Sequence, residues 1–136
     1  MGRWGERENR SDMRTILSHK ELKVYQLAYR LAMDIFEISK TFPKEERYSM
    51  TDQIRRSSRS VAANIAEAFR KRRYEKAFIA KLSDAEGEAA ETQTWLDFSR
   101  DCQYINQEIC EKYNQEYEFV LGMLINMIKS PEKWSI

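Results

Sequence analysis

The sequence predicts an all-α protein, an antiparallel up-down four-helix bundle, and three observations predict it. Apolar residues recur at alternating steps of three and four through four long segments. Only 4 Gly and 2 Pro interrupt 136 residues. No run alternates apolar and polar side chains long enough to read as a strand. So few turn formers leave little room for the many corners of a sandwich or barrel. The length fits one domain, and 42% hydrophobic content is enough for a sizeable core.

Each helix is justified by its own stripe. From about Lys20 to Thr41, Val24, Ala28, Leu31, Ile35, Ile38 and Phe42 fall on one face, and Phe42-Pro43 ends the helix because a residue before proline is pushed out of the helical region. The second helix opens at Ser49, expected to cap it with Asp52 three residues on, and runs to about Lys71 on Met50, Ile54, Ser57, Val61, Ile65 and Ala68. The third begins near Tyr74 on Phe78, Leu82, Ala85, Ala89, Thr92 and Leu96 and ends between Asp101 and Tyr104. Asn106 is the expected cap of the fourth, whose stripe is Ile109, Tyr113, Tyr117, Val120, Leu124 and Met127 and whose stop is Ser130-Pro131. The expected organisation is a flexible charged arm over 1–18, the bundle over 19–130 and a short tail over 131–136. In the arm, Arg3, Arg7, Arg10 and Arg14 stand among Glu6, Glu8 and Asp12, which reads as a solvated tail or a contact for an acidic partner.

Composition excludes several function classes. A net charge of +1 is not that of a globally basic nucleic-acid binder, although a local patch remains open. One His and two Cys are too few for a structural zinc site. Asp84, Glu88 and Glu91 share a face of the third helix, but a di-iron carboxylate site needs Glu-x-x-His on two helices, and His19 is in no such motif. There is no glycine-rich phosphate loop and no repertoire of nucleophile–base pairs, so neither catalysis nor a cofactor or metal is expected. No apolar run is long enough to span a membrane, and the charged start lacks the apolar region of a secretory signal, so a cytoplasmic location with reduced thiols is expected. Cys102 and Cys110 read as small apolar residues near a helix junction.

The second helix carries the most information. Between Ser49 and Arg73 lie seven basic residues, Arg55, Arg56, Arg59, Arg70, Lys71, Arg72 and Arg73, against Asp52 and Glu67. The third helix is the reverse: Tyr74 to Cys102 holds seven acidic residues and three basic ones. On a helical wheel Arg55, Arg59 and Arg70 lie within ~60° of one another, away from the apolar stripe. Arginine forks suit phosphate oxygens, so this face can grip a nucleic-acid backbone. Salt bridges to the acidic helix or a plainly solvated face account for the same residues. Ser57, Ser58, Ser60, Ala62 and Ala63 are small enough for a neighbouring helix to approach closely. Asn64 and Glu67 flank the core stripe, where such residues more often set register or pair with an arginine across an interface than catalyse. Trp95, Phe98 and Cys102 point away from the stripe of the third helix, and Tyr25, Tyr29, Met33 and Phe36 widen that of the first. A second apolar face of this kind predicts self-association.

The run QIRRSSRSVAANIAEAFRKRRY at 53–74 resembles the QIRRAxxSIxxNIAEG core of the bacterial four-helix-bundle family also called the 23S rRNA intervening-sequence protein family. VYQLA at 24–28, TFPKEE at 41–46 and AAETQTWLDFSRDCQYI at 89–105, similar to ETxxWLxxAxxxGYI, extend the likeness from Glu21 to Ile128. Gln53, Arg55, Arg56, Asn64, Ala66 and Glu67 match the pattern. Ala68 and Gln103 stand where many members have glycine. The resemblance implies a ring-like homopentamer. It also links the chain to the accessory variability determinants of diversity-generating retroelements, basic pentamers that bind nucleic acid and a reverse transcriptase. The function expected is therefore a cytoplasmic, non-enzymatic homo-oligomer that binds RNA or DNA phosphates through the second-helix arginines. The alternative is a scaffold for a protein partner such as a reverse transcriptase. The expected oligomer contacts are Tyr29, Asn64, Glu67, Trp95 and Phe98.

Overall fold

The computed structural model describes residues 15–136. Among them it has four long helices and no strand: α1 (Lys23–Ser39), α2 (Met50–Arg70), α3 (Glu75–Asp101) and α4 (Gln107–Lys129). α2 packs on α1 and α3, and α4 packs on α3 and back on α1, so each helix buries its stripe against two neighbours around one core. Every expected stripe residue of α2 and α3 is buried; Ile38 and Ile109 are only partly so. Ser57, fully buried, lets α3 lie close on α2, and Ser57 Oγ and Thr92 Oγ1 share a hydrogen bond of 2.8 Å across that contact. Met50 meets Ser99, Ser57 meets Thr92 and Glu67 meets Lys81 along the α2–α3 seam. No helix among the described residues is long and apolar enough to cross a membrane.

The helix ends depart from the sequence reading in instructive ways. α1 is shorter than expected at both ends. Ser18 and Glu21 form a capping box around a separate 3₁₀ turn, His19–Glu21, and after Ser39 the chain tightens through Thr41 N–H to Ile38 O (3.2 Å) and Phe42 N–H to Ser39 O (3.1 Å). Ser49 does not cap α2. Its hydroxyl donates to Glu46 Oε1 (2.6 Å), and that same oxygen accepts the Met50 N–H (3.3 Å). The 3₁₀ turn Lys44–Glu46 brings the carboxylate over the helix start, and a charged acceptor outcompetes a hydroxyl there. Asn106 caps α4 as expected, accepting the Ile109 N–H at 2.8 Å.

α3 ends in a Schellman motif, with Gln103 N–H to Arg100 O at 2.9 Å and Tyr104 N–H to Ser99 O at 2.8 Å. The left-handed residue this motif requires is Gln103, at φ 66°, and among the described residues it is the one non-glycine with positive φ. Both ends of the bundle also recruit more chain than expected. Ile16, placed in the arm by sequence, is fully buried, and Trp134, placed in the tail, is buried where the turn Pro131–Lys133 packs on α3. Large apolar side chains near a terminus are drawn into any open end of a bundle. The arginines expected in the arm, Arg3, Arg7, Arg10 and Arg14, lie outside the described residues.

Candidate nucleic-acid interface

The arginines of α2 divide between its two solvent edges. At about 100° per residue, Arg55, Arg59 and Arg70 fall on the edge toward α1, and Gln53, Arg56, Asn64 and Glu67 on the edge toward α3. On the α1 edge, Arg55 Nε donates to Ser39 Oγ at 2.7 Å, and its guanidinium lies 4.7 Å from the centre of the Phe36 ring. Arg59 lies 5.6 Å from the same ring, and Lys40 Nζ 4.8 Å. Phe36, which sequence reading assigned to a second apolar face, is thus roofed by three cations. Among the described residues neither Arg55 nor Arg59 has an ion-pair partner.

The α3 edge is different. Arg56 is paired with Glu88 (3.4 Å) and Glu91, the salt-bridge alternative that the acidic third helix suggested. The Glu91 and then the Glu88 hydrogen bonds raise its pKa. Burial works against the charge on Glu91, yet the Trp95 indole N–H (3.1 Å) and Arg56 together hold that carboxyl below its ordinary range. Glu67 pairs with Lys81 at 3.2 Å, Asp84 stands 4.0 Å from the same ammonium, and Asn64 Nδ2 donates to Ser60 O at 2.9 Å. Glu88, Glu91 and Asp84, grouped on one face by sequence, therefore all face cations.

The basic run that closes α2 splits further. Arg70, Lys71 and Arg73 are exposed, with Arg70 about 22 Å along the axis from Arg55. Arg72 is only 8% exposed and stacks 3.8 Å from the Phe69 ring. It donates from Nη1 to Phe69 O (3.1 Å) and from Nη2 to Ile16 O (3.2 Å). Burial, then the neighbouring Arg70 and Arg73, lower its pKa. Its place among the phosphate-binding residues is accordingly corrected: it fastens Ile16 to the end of α2. Position in a basic run could not reveal this, because the carbonyls it serves become available only when the chain folds.

Sequence reading missed the partners that the α1–α2 connection brings to Arg55 and Arg59. Lys40, Lys44, Arg47 and Tyr48 line the same groove, of about 640 Å³. The signal was present in TFPKEE and the Arg47-Tyr48 that follows it, but a connection gives no periodicity from which to infer direction. Of the expected oligomer contacts, Tyr29 (56% exposed) stands on α1 and Phe98 (51% exposed) on α3, whose ring lies 5.8 Å from that of half-buried Trp95.

The model of the 23S rRNA-intervening sequence protein family matches residues 20–126. The chain belongs to that family. A family structure from Bacteroides thetaiotaomicron, described as a protein with unknown function from the S23 ribosomal protein family, is 34% identical. It superposes with a TM-score of 0.70 over 78% of this chain and 98% of its own. No curated protein matches the chain. The family match covers all four helices except the last turn of α4, and both edges of α2 lie within it.

Proposed function

We propose that this member of the 23S rRNA-intervening sequence protein family is a non-enzymatic, cytoplasmic homo-oligomer. Its subunits are antiparallel up-down bundles that bind the phosphates of RNA or DNA along the α1-facing edge of α2. The observation that carries the reading is the pair Arg55 and Arg59. They stand one turn apart, are held in place by Ser39 and Phe36, and have no carboxylate partner among the described residues. Arg70, Lys71 and Arg73 extend the same basic surface, whereas Arg56 is already neutralised by acidic residues of α3. The ring-like pentamer implied by the resemblance suits this arrangement, because a closed ring joins two different faces of each subunit. Tyr29 with Met33 on α1, and Phe98 with Trp95 on α3, supply two such faces. Repetition of a modest patch around a ring raises effective concentration and turns weak contacts into useful affinity. The up-down arrangement is supported by contacts that descend along one helix as they ascend the next, as in Met50–Ser99, Ser57–Thr92 and Glu67–Lys81.

The test is fluorescence anisotropy on RNA and DNA probes across a salt series, with the wild type beside an Arg55→Glu/Arg59→Glu/Arg70→Glu variant and oligomer mass measured for both. The salt slope should fall by ~0.7–0.9 for every phosphate that the protein no longer neutralises. Binding that weakens with salt and disappears in a variant of unchanged mass supports the reading. Absence of binding at low salt refutes it and leaves the scaffold for a protein partner, such as a reverse transcriptase, in its place.

A further inference from the structure

We infer that the groove at the α1–α2 corner takes an unpaired stretch of nucleic acid, with one base stacked on Tyr48 and the flanking phosphates held by Lys44, Arg47, Arg55 and Arg59. The inference rests on the phosphate-binding reading above and specifies its ligand and its site.

Three features lead to it. The first is charge: Lys40, Lys44, Arg47, Arg55, Arg59 and the already paired Arg56 line one concavity, and Asp52 is the one acidic residue lining it. Lys40 is paired with Glu37 at 3.1 Å, while Lys44, Arg47, Arg55 and Arg59 have no ion pair among the described residues. Arg55 uses only Nε on the protein, on Ser39, so both terminal nitrogens of its fork are available for a phosphate. The second is Tyr48. The residue is 86% exposed, and the Arg47 guanidinium, 5.9 Å from the ring centre, is its one ring contact among the described residues. A bare aromatic ring beside free cations is the elementary unit of single-strand binding, because every base has a face to stack.

The third feature is shape and rigidity. The arginines border a concavity of about 640 Å³ between α2, the end of α1 and their connection, rather than forming a ridge that enters a duplex groove. The turn that presents Arg47 and Tyr48 is pinned from below by Glu46. Its carboxylate accepts from Ser49 Oγ (2.6 Å), Met50 N–H (3.3 Å) and Tyr104 OH (2.8 Å). The backbone that carries Tyr48 is therefore fixed before binding, and stacking has only the side chain to order.

The experiment compares a twelve-nucleotide RNA, the DNA of the same sequence and the corresponding duplexes, by anisotropy at one low salt concentration. The proteins are the wild type, Tyr48→Ala, Tyr48→Phe and Lys44→Ala/Arg47→Ala, with oligomer mass and helix content checked for each. The inference expects single strands to bind at least tenfold more tightly than duplexes. Tyr48→Ala should weaken single-strand binding by about 5- to 100-fold, and Tyr48→Phe should retain it. The RNA and DNA arms are read separately, and a difference between them reports the 2′-hydroxyl. Equal binding of single strand and duplex, unaffected by Tyr48→Ala, overturns this inference while the phosphate-binding reading survives. Binding of neither probe by the wild type overturns both.

Discussion

Replacing Gln103 by glycine should stabilise the protein by about 0.5–1 kcal/mol, the difference between two opposing effects. Gln103 is held at φ 66° by the Schellman bonds that end α3. For an L-residue with a side chain that left-handed conformation costs about 1–2 kcal/mol, and for glycine it does not. Against this, glycine gives the unfolded chain more freedom, worth roughly 0.5–1 kcal/mol. Nothing else is lost: the Gln103 side chain is exposed and makes no hydrogen bond among the described residues, and both motif bonds belong to the backbone. Denaturant unfolding of wild type, Gln103→Gly and Gln103→Val at one fixed protomer concentration would measure it, because the stability of an oligomer depends on concentration. The glycine variant should raise the midpoint at unchanged slope, or Tm by about 2–5 °C, and the β-branched valine should lower it. A glycine variant no more stable than wild type, with the slope unchanged, would refute the claim that this turn is strained.

Further outcomes are expected at four residues. Glu46→Ala should lose about 1–2 kcal/mol as the α2 start loses its acceptor, measured by denaturant unfolding. Ser49 and then Tyr104 hold the folded Glu46 carboxyl below its ordinary range, so its contribution is present above the unfolded-state pKa and drains away as pH falls through the folded value; Glu46→Gln should flatten that acid limb. Tyr104, pushed up to about 12 chiefly by its hydrogen bond to Glu46, contributes fully below the ordinary tyrosine value and loses that contribution as pH rises towards 12, which absorbance titration of the phenolate can follow. Arg72→Ala should release Ile16, lose about 1–3 kcal/mol and speed hydrogen exchange over residues 15–22, while leaving the salt slope of nucleic-acid binding unchanged. Arg56→Ala, which breaks a partly exposed network, should cost only ~0.2–1 kcal/mol by unfolding and also leave that slope alone.

Much of the fold was legible because helical burial is periodic. Phe78, Leu82, Ala85, Ala89, Thr92 and Leu96 needed only their spacing to be placed in the core, and Pro131 marks the end of α4, whereas α1 already ends at Ser39, four residues short of Pro43. The candidate site was legible in part. Arg55 and Arg59 share an edge by the same arithmetic that finds a stripe, and the acidic third helix announced the partners of Arg56. Lys44, Arg47 and Tyr48 escaped notice because they sit on a connection. Ser49 misled for a related reason: a hydroxyl looks like a cap until a carboxylate three residues earlier is folded over the helix start.

The sequence alone determined the helical class, the four core stripes and the concentration of arginines on α2, since these follow from local spacing and composition, and its motifs carried the likeness to the family. Only the tertiary structure decided what each arginine does. Arg56 became a salt-bridge partner because α3 sets Glu88 and Glu91 beside it, and Arg72 became a buried fastener because Ile16 O lies within its reach. Arg55 and Arg59 have no ion pair among the described residues because α1 offers them a hydroxyl and a ring in place of a carboxylate. The difference is physical: a guanidinium carries the same charge everywhere along a helix, and its role is set by what distant segments of the chain bring within about 4 Å of it.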